Sequence, residues 1–166
     1  METQLTAARL RRMLRYNPHT GLFKWRRALG SVKVGTIAGR IDSQGHKQIS
    51  IDNRRYMASH LAFLYMRGEL PPKGMFVDHR DTDPANDAWG NLRLATPWQN
   101  QCNRRRQRNN TTGFKGVSRR FVGKYVASIS VLGKQMYLGT FKDPLLAFYA
   151  YRSAARRHHG QFARTE

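Results

Sequence analysis

An aspartate and a histidine stand side by side at Asp78 and His79, in a chain with a large excess of basic residues. Asn91 follows twelve residues after the histidine, and Asn100 follows twenty-one residues after it. A carboxylate can bind a divalent ion that stabilises a leaving oxygen, and an imidazole can take a proton from water. These residues therefore fit phosphodiester hydrolysis. The alternative is that "DTDPAND", residues 81–87, is only a polar turn of loop-forming residues.

Two strands and a helix would have to position these side chains. The stretch 75–79, "MFVDH", predicts a strand, and 91–95, "NLRLA", predicts a second one. Thr96 is a predicted helix N-cap, and Gln99 would complete a capping box with it. If the second strand and the helix fold back on the first strand, the asparagine of the first helical turn would lie beside the aspartate.

Further elements are predicted on both sides of this segment. Apolar periodicity predicts helices over Thr3–Tyr16 and Ser59–Arg67, with strands and turns between them. Residues 104–112 are polar and basic and predict a linker. Three short strands and a helix from Pro144 to about His159, capped by Asp143, then form a small α+β unit.

Composition narrows the class of protein. The 166 residues carry a net charge of +20, and 40% are hydrophobic, which suits one or two small domains that bind nucleic acid. An anionic membrane is the alternative partner, but no stretch approaches the roughly 18 apolar residues of a spanning helix.

The N-terminus lacks an apolar signal core, which predicts an intracellular protein. The single Cys102 excludes an internal disulfide and a multi-cysteine zinc site.

The motif "VDH…NLRLATP…QN" resembles the core of HNH endonucleases of the homing type, the ββα-metal nucleases often encoded by phages. The resemblance covers roughly residues 17–104. It implies that His79 is the general base, that Asp78 and Asn100 bind one Mg²⁺ or Mn²⁺ ion, and that Asn91 bridges the loop and orients the histidine. It also implies the zinc-free branch of the family, because paired CxxC motifs are absent.

One position departs from the family pattern. The family usually has "HRLA" on the helix before the loop, whereas this chain has "SHLA", with Ser59 and His60 in place of His and Arg. His60 is the candidate for a supporting contact to the loop or to DNA. The alternative is a histidine on the helix surface.

The C-terminal part resembles the plant Apetala-two, or ethylene-response-factor, type of DNA-binding domain, over about residues 112–164. The motifs "GFKGVSRR", "YLGTF" and "AYRSAA" carry the resemblance. Ser118, Val122, Ser130 and Gln135 fall where the plant proteins have Arg or Trp, which implies a different target sequence and more reliance on phosphates. With the linker arginines, the candidate DNA-binding residues are Arg104, Arg105, Arg106, Lys115, Arg119, Arg120, Lys124 and Tyr137.

The sequence thus predicts an α+β protein in three parts. Residues 1–103 would be a small ββα-metal nuclease domain, 104–112 a basic linker, and 113–166 a three-stranded antiparallel sheet packed on one helix. The predicted function is metal-dependent cutting or nicking of double-stranded DNA by a monomer or weak homodimer, in a bacterial cytoplasm and from a phage gene. The alternative is a catalytically inactive DNA-binding protein or regulator. RNA binding is not favoured, because the sheet lacks an RNA-recognition aromatic signature.

Overall fold

The structure is a computed structural model that describes residues 5–165. The chain folds into two compact units, one ending at Ala95 and the other beginning at Thr96. The boundary between two compact units and the boundary between two functional domains need not fall at the same residue. The functional domain bounds at residues 103 and 113 therefore stay a prediction.

Helices and short antiparallel strands alternate in the first unit. The elements are α1 (Ala7–Met13), β1 (Leu14–Asn17), β2 (Leu22–Trp25), β3 (Arg40–Ile41), β4 (Lys47–Ile51), β5 (Arg54–Met57), α2 (Ala58–Arg67), β6 (Phe76–His79) and β7 (Leu92–Ala95). Strands β1 and β2 form a hairpin, β3, β4 and β5 form a three-stranded sheet, and β6 pairs with β7.

The first helix is shorter than the sequence predicted. The Thr6 side chain accepts a hydrogen bond from the amide of Arg9 and caps α1, which ends at Met13. From Leu14 the backbone is extended, and burial alternates along β1 with Leu14 and Tyr16 inside. A period of two is typical of a strand with one face on a core. The helix prediction was therefore wrong after residue 13, and residues 3 and 4 lie outside the described part.

One hydrophobic core holds the first unit together. Leu10, Leu14, Phe23, Ile49 and Leu61 are fully buried and bring α1, β1, β2, β4 and α2 into one cluster. Each such side chain contributes about 1.5–3 kcal/mol when it leaves water. Leu92 at the start of β7 joins the same cluster, so the core also fixes the β6–β7 pair that carries the candidate site.

The second unit begins with a short helix and continues with the predicted sheet. Its helices are α3 (Pro97–Cys102) and α4 (Pro144–His159). Its strands, β8 (Val117–Phe121), β9 (Lys124–Val131) and β10 (Lys134–Phe141), form an antiparallel sheet with β9 in the centre. Ala127 and Ile129 on one face of β9 pack against Ala147, Tyr151 and Ala155 of α4.

This architecture confirms the predicted α+β fold class, in which a small domain of helices and short strands is followed by an antiparallel sheet and a C-terminal helix. The bounds of α4 match the prediction, and the Asp143 side chain accepts a hydrogen bond from the amide of Leu145, 2.7 Å away. Within residues 5–165, no helix is both long enough and apolar enough to cross a membrane.

Candidate active site

Asp78 and His79 end strand β6, and both are buried, with 5% and 8% of their surface exposed. Successive side chains of a strand point to opposite faces. The two residues accordingly contact different partners, Arg93 for Asp78 and Asp87 for His79. Burial of a charged or polar group raises the free energy of the folded state unless the group has a partner. Arg93 and Asp87 are therefore parts of the site.

Asp78 forms a buried ion pair with Arg93, which lies directly opposite on β7. The distance from Arg93 Nε to Asp78 Oδ2 is 2.7 Å, and both side chains are less than a tenth exposed. Arg93 was not among the candidate residues. Both strands were predicted, but the register that places Arg93 opposite Asp78 comes from the structure. An ionised carboxylate has about four lone-pair positions, so the ion pair and a metal ligand role are compatible.

His79 is held by Asp87, the last residue of the polar loop. The distance from His79 Nε2 to Asp87 Oδ1 is 3.0 Å. Asp87 is 1% exposed, and its other oxygen, Oδ2, has no hydrogen-bond partner within the described structure. A carboxylate in this position fixes the orientation of an imidazole and stabilises its protonated form. Asp87 was not predicted as a site residue, because residues 81–87 were also consistent with a polar turn of loop-forming residues.

The hairpin of β1 and β2 supports the backbone of Asp87. The hydroxyl of Tyr16 donates to the carbonyl oxygen of Asp87 at 2.6 Å, and the amide of Trp89 donates to Pro18 at 2.8 Å. Burial, and then the charge of Asp87, raise the pKa of Tyr16 well above its usual value. Gly21 has a positive φ of 69° and lies so close to the Asp87 backbone that a Cβ would collide with it.

Asn91 forms hydrogen bonds across the polar loop. Its side-chain nitrogen donates to Asp81 Oδ1 at 2.9 Å and to the carbonyl oxygen of Asn86 at 2.8 Å. Its side-chain oxygen accepts from the amide of Asp81 at 3.1 Å, and its carbonyl oxygen accepts from the amide of Arg80 at 2.9 Å. Asn91 thus ties β7 to the segment that follows His79. Its part in catalysis stays a prediction.

Asp81 belongs to the closed hydrogen-bond network of this loop. Burial works to raise its pKa, but hydrogen bonds from the Asp83 amide, Asn86 and Asn91 outweigh that effect and lower the pKa of Asp81. Its oxygens are therefore engaged in holding the loop's shape.

The remaining nuclease candidates lie on helices. His60 is partly buried on α2, and burial lowers the pKa of its ring. Asn100 is on α3, in the second unit, and its amide donates to Thr96 at 2.9 Å. The capping box of Thr96 and Gln99 is present, which confirms the predicted start of this helix. The pairing of Asn100 with Asp78 and the supporting role of His60 stay predictions.

The DNA-binding candidates differ in exposure. All of them except Lys115 are exposed; they are Arg104, Arg105, Arg106, Arg119, Arg120, Lys124 and Tyr137. Lys115 is partly buried, and its Nζ donates to the carbonyl oxygens of Cys102 and Arg104, each at 2.7 Å. The three linker arginines line a cavity of about 480 Å³ in the second unit, together with serines of the sheet.

The donor chemistry of the predicted ligands suits a hard divalent ion. Asp78 offers a carboxylate and Asn100 an amide, and Mg²⁺ prefers such oxygen ligands. In the described residues no group of three or more His, Cys, Asp or Glu side chains could bind a metal. An ion held by only two protein oxygens keeps several waters or takes oxygens from a substrate phosphate, which is usual for Mg²⁺.

Comparisons with known proteins bear on the same region. A family model described as "HNH endonuclease" matches residues 56–102, which include the β6–β7 pair and the loop between its strands. The chain is 38% identical over 94 residues to "Protein 3.8" of Escherichia phage T7, covering 56% of this chain and 77% of that protein. It is 32% identical over 100 residues to "Uncharacterized HNH endonuclease L560" of Acanthamoeba polyphaga mimivirus, covering 60% of this chain and 51% of that protein.

No solved structure matches the chain significantly. The family model ends at residue 102, before the three-stranded sheet begins at Val117. The resemblance of that sheet and α4 to the Apetala-two fold therefore stays a prediction.

Proposed function

Because the chain belongs to the HNH endonuclease family, we propose that it is a metal-dependent endonuclease that hydrolyses phosphodiester bonds of double-stranded DNA. The buried pair of His79 and Asp87 is the observation that carries this proposal. It lies within the residues that match the family. A histidine held in one orientation by a carboxylate is suited to take a proton from an attacking water.

In the proposed mechanism, His79 is the general base. The His79 ring takes the proton of the water, while Asp87 contacts its Nε2 at 3.0 Å. Asp87 orients the ring and stabilises the positive charge that develops on it. Asn91 holds the loop that connects these two residues, so the distance between His79 and Asp87 is maintained while the ring changes its protonation state.

Asp78 and Asn100 are the proposed metal ligands, with no zinc required. A bound Mg²⁺ or Mn²⁺ ion would supply charge stabilisation for the phosphate and for the departing 3′ oxygen. Arg93 sets the orientation of the Asp78 carboxylate through their 2.7 Å contact. It also offsets the negative charge of Asp78, which makes burial of that carboxylate possible.

The exposed arginines and the C-terminal sheet would bind the duplex. The net charge of +20 favours association with phosphates through release of counterions. A targeting role of the sheet and an activity of the homing type are part of the proposal, as is action in the cytoplasm of a bacterial host. One active site per chain implies nicking by a monomer, and a double-strand break would require a weak homodimer or two nicks.

A plasmid-relaxation assay tests the proposal. Supercoiled DNA of a candidate host or phage would be incubated with Mg²⁺, with Mn²⁺ or with EDTA, using the wild type and His79→Ala. We expect nicked or linear product only from the wild type with metal. Product that forms equally in EDTA, or equally with His79→Ala, would overturn the mechanism.

The second candidate function is a DNA-binding protein without catalytic activity. The ion pair of Asp78 with Arg93 favours it, because one carboxylate oxygen of the proposed ligand is already bonded. The same assay distinguishes the two functions. A clear gel shift with no cleavage under any metal, across several DNA sources, would support the second.

A further inference from the structure

Lys115 bonds to the end of helix α3. Its Nζ donates to the carbonyl oxygens of Cys102 and Arg104, each at 2.7 Å. The last carbonyls of a helix have no partners within the helix, and a lysine is a favourable donor to them. Lys115 therefore caps the C-terminal end of α3 and also bonds to the turn that follows it.

The backbone on either side of Lys115 is fixed to the sheet and to α4. The amide of Ser128 donates to the carbonyl oxygen of Gly116 at 2.9 Å. Gly116 has a φ of 74° and lies against the ring of Tyr151 with no room for a Cβ. On the other side, the Asn110 side chain donates to the carbonyl oxygen of Phe114 at 2.9 Å. The backbone from which the Lys115 side chain extends toward α3 is thus held on both sides by hydrogen bonds and packing.

A second contact joins α3 to α4 in the same unit. The rings of Trp98 and His159 meet edge to face, with centroids 5.6 Å apart. His159 is itself held by a 2.9 Å hydrogen bond between its Nε2 and the carbonyl oxygen of Ser130. A helix of six residues is too short to be stable by itself. These two contacts, together with its capping box, contribute to holding α3 in place.

The environment of Lys115 also differs from that of the arginines that were grouped with it as DNA-binding candidates. Burial lowers the pKa of Lys115 to about 8, and the positive charge of Arg164 acts in the same direction. A group that is partly removed from water and already bonded to two carbonyls is poorly placed to neutralise a phosphate.

We propose that Lys115 is a positioning residue, which holds α3 and with it Asn100 in place, and is not a DNA contact. This inference rests on the proposed function, since it takes Asn100 to be a metal ligand. It gives the C-terminal unit a role inside the nuclease. The sheet and α4 would support the helix that carries a ligand, in addition to any role in targeting.

The test compares Lys115→Met with Lys134→Met, a matched loss of one lysine at an exposed position of β10. The full-length proteins would be assayed for cleavage over a range of Mg²⁺ concentrations and for DNA affinity in EDTA. Loss of a residue that supports a ligand typically lowers metal affinity 10–100-fold. We expect about a tenfold or larger rise in the Mg²⁺ concentration that gives half-maximal cleavage for Lys115→Met. Lys134→Met should keep the wild-type value, and the two variants should lose the same small amount of DNA affinity.

A structural measurement makes the result independent of activity. Hydrogen exchange at the amides of Asn100 and Asn103, which bond within α3, should be about tenfold faster or more in Lys115→Met, while the amides of β9 keep their protection. If β9 also loses protection in Lys115→Met, the variant Trp98→Ala decides the question. It removes a different α3 contact, the ring contact with His159, from the helix side. It should raise the Mg²⁺ requirement in the same way.

Two other results would contradict the inference or the proposed function. An unchanged Mg²⁺ requirement and unchanged α3 exchange, with DNA affinity reduced well beyond that of Lys134→Met, would make Lys115 a DNA contact and overturn the inference. A wild type that cuts no DNA would instead overturn the proposed function. The exchange comparison would then still decide whether Lys115 holds α3.

Discussion

The end of strand β6 and the basic surface of the second unit use charge in opposite ways. Asp78 and His79 are buried, and each has a partner within 3.0 Å. The arginines at 104–106, by contrast, are exposed. A buried charge must be paired, and pairing fixes its position, whereas an exposed arginine remains free to adapt to a phosphate. This contrast fits the proposed function, in which the first region carries out the chemistry and the second binds DNA along a surface.

Removing the imidazole should produce the largest effect and is the sharpest test of this division. General-base catalysis contributes about 10²- to 10⁴-fold to a rate, so His79→Ala should lower cleavage by about that factor. Its DNA affinity in EDTA should stay within about twofold of the wild type, because His79 is 8% exposed. Cleavage rates and gel shifts on one DNA would measure both. Equal losses in cleavage and binding would mean that the two regions do not have separate tasks.

Breaking the buried ion pair should cost stability. Arg93→Leu leaves the Asp78 carboxylate without its 2.7 Å partner, and removal of one member of a buried pair costs about 3–5 kcal/mol. Urea denaturation would measure the free energy of unfolding. The double variant Asp78→Leu/Arg93→Leu should recover most of that loss while remaining inactive. A cost below about 1 kcal/mol for Arg93→Leu would show that the pair behaves like a surface ion pair.

Altering the orienting carboxylate should have an intermediate effect on rate. Asp87→Asn keeps the shape of the side chain but removes the charge beside His79 Nε2. We expect cleavage to fall about 10–100-fold, the usual cost of removing a partner that orients a functional histidine. Asp52→Asn, which alters an exposed ion pair with Arg9, is the matched control and should retain wild-type activity. If Asp87→Asn cuts at the wild-type rate, the buried pair has no catalytic role.

Substitution of a single exposed arginine should have the smallest effect of the four. It should lower DNA affinity and leave the cleavage rate of bound DNA unchanged. Each phosphate contact contributes about 0.9 to the slope of log affinity against log salt. Arg105→Gln should lower this slope by about one contact or less and leave the rate at saturating DNA unchanged. Gel shifts over a salt series, together with single-turnover cleavage, would measure both. A lower saturated rate with an unchanged salt slope would place Arg105 at the active site.

The elements predicted well from sequence are those specified by neighbouring residues. The cap of Asp143 on α4 joins residues two apart, and the capping box of α3 spans residues three apart. Strands β6 and β7 followed from short apolar stretches. The predicted first helix was wrong after residue 13, because burial of Leu14 and Tyr16 in a hairpin outweighed local helix propensity.

The partners that complete the site were not recognised because they lie far from it along the chain or in a loop of many acids. Arg93 is fifteen residues from Asp78, Asp87 is eight from His79, and Tyr16 is seventy-one from Asp87. Several aspartates of the loop were equivalent by residue type, and Asp87 is the one whose Oδ1 lies 3.0 Å from His79 Nε2. The choice between Asp81, Asp83 and Asp87 required the path of the loop.

The fold class and the excess of positive charge could be read from the amino-acid sequence alone, because they follow from periodicity and composition, which are local or additive properties of the chain. The segment in which the HNH residues lie followed from the resemblance of its motif to that family. The pairing of Arg93 with Asp78, the contact of Asp87 with His79 and the bonds of Lys115 to the end of α3 became visible in the tertiary structure. The physical reason is that a charged group finds its partner through burial and strand register, which depend on the whole core.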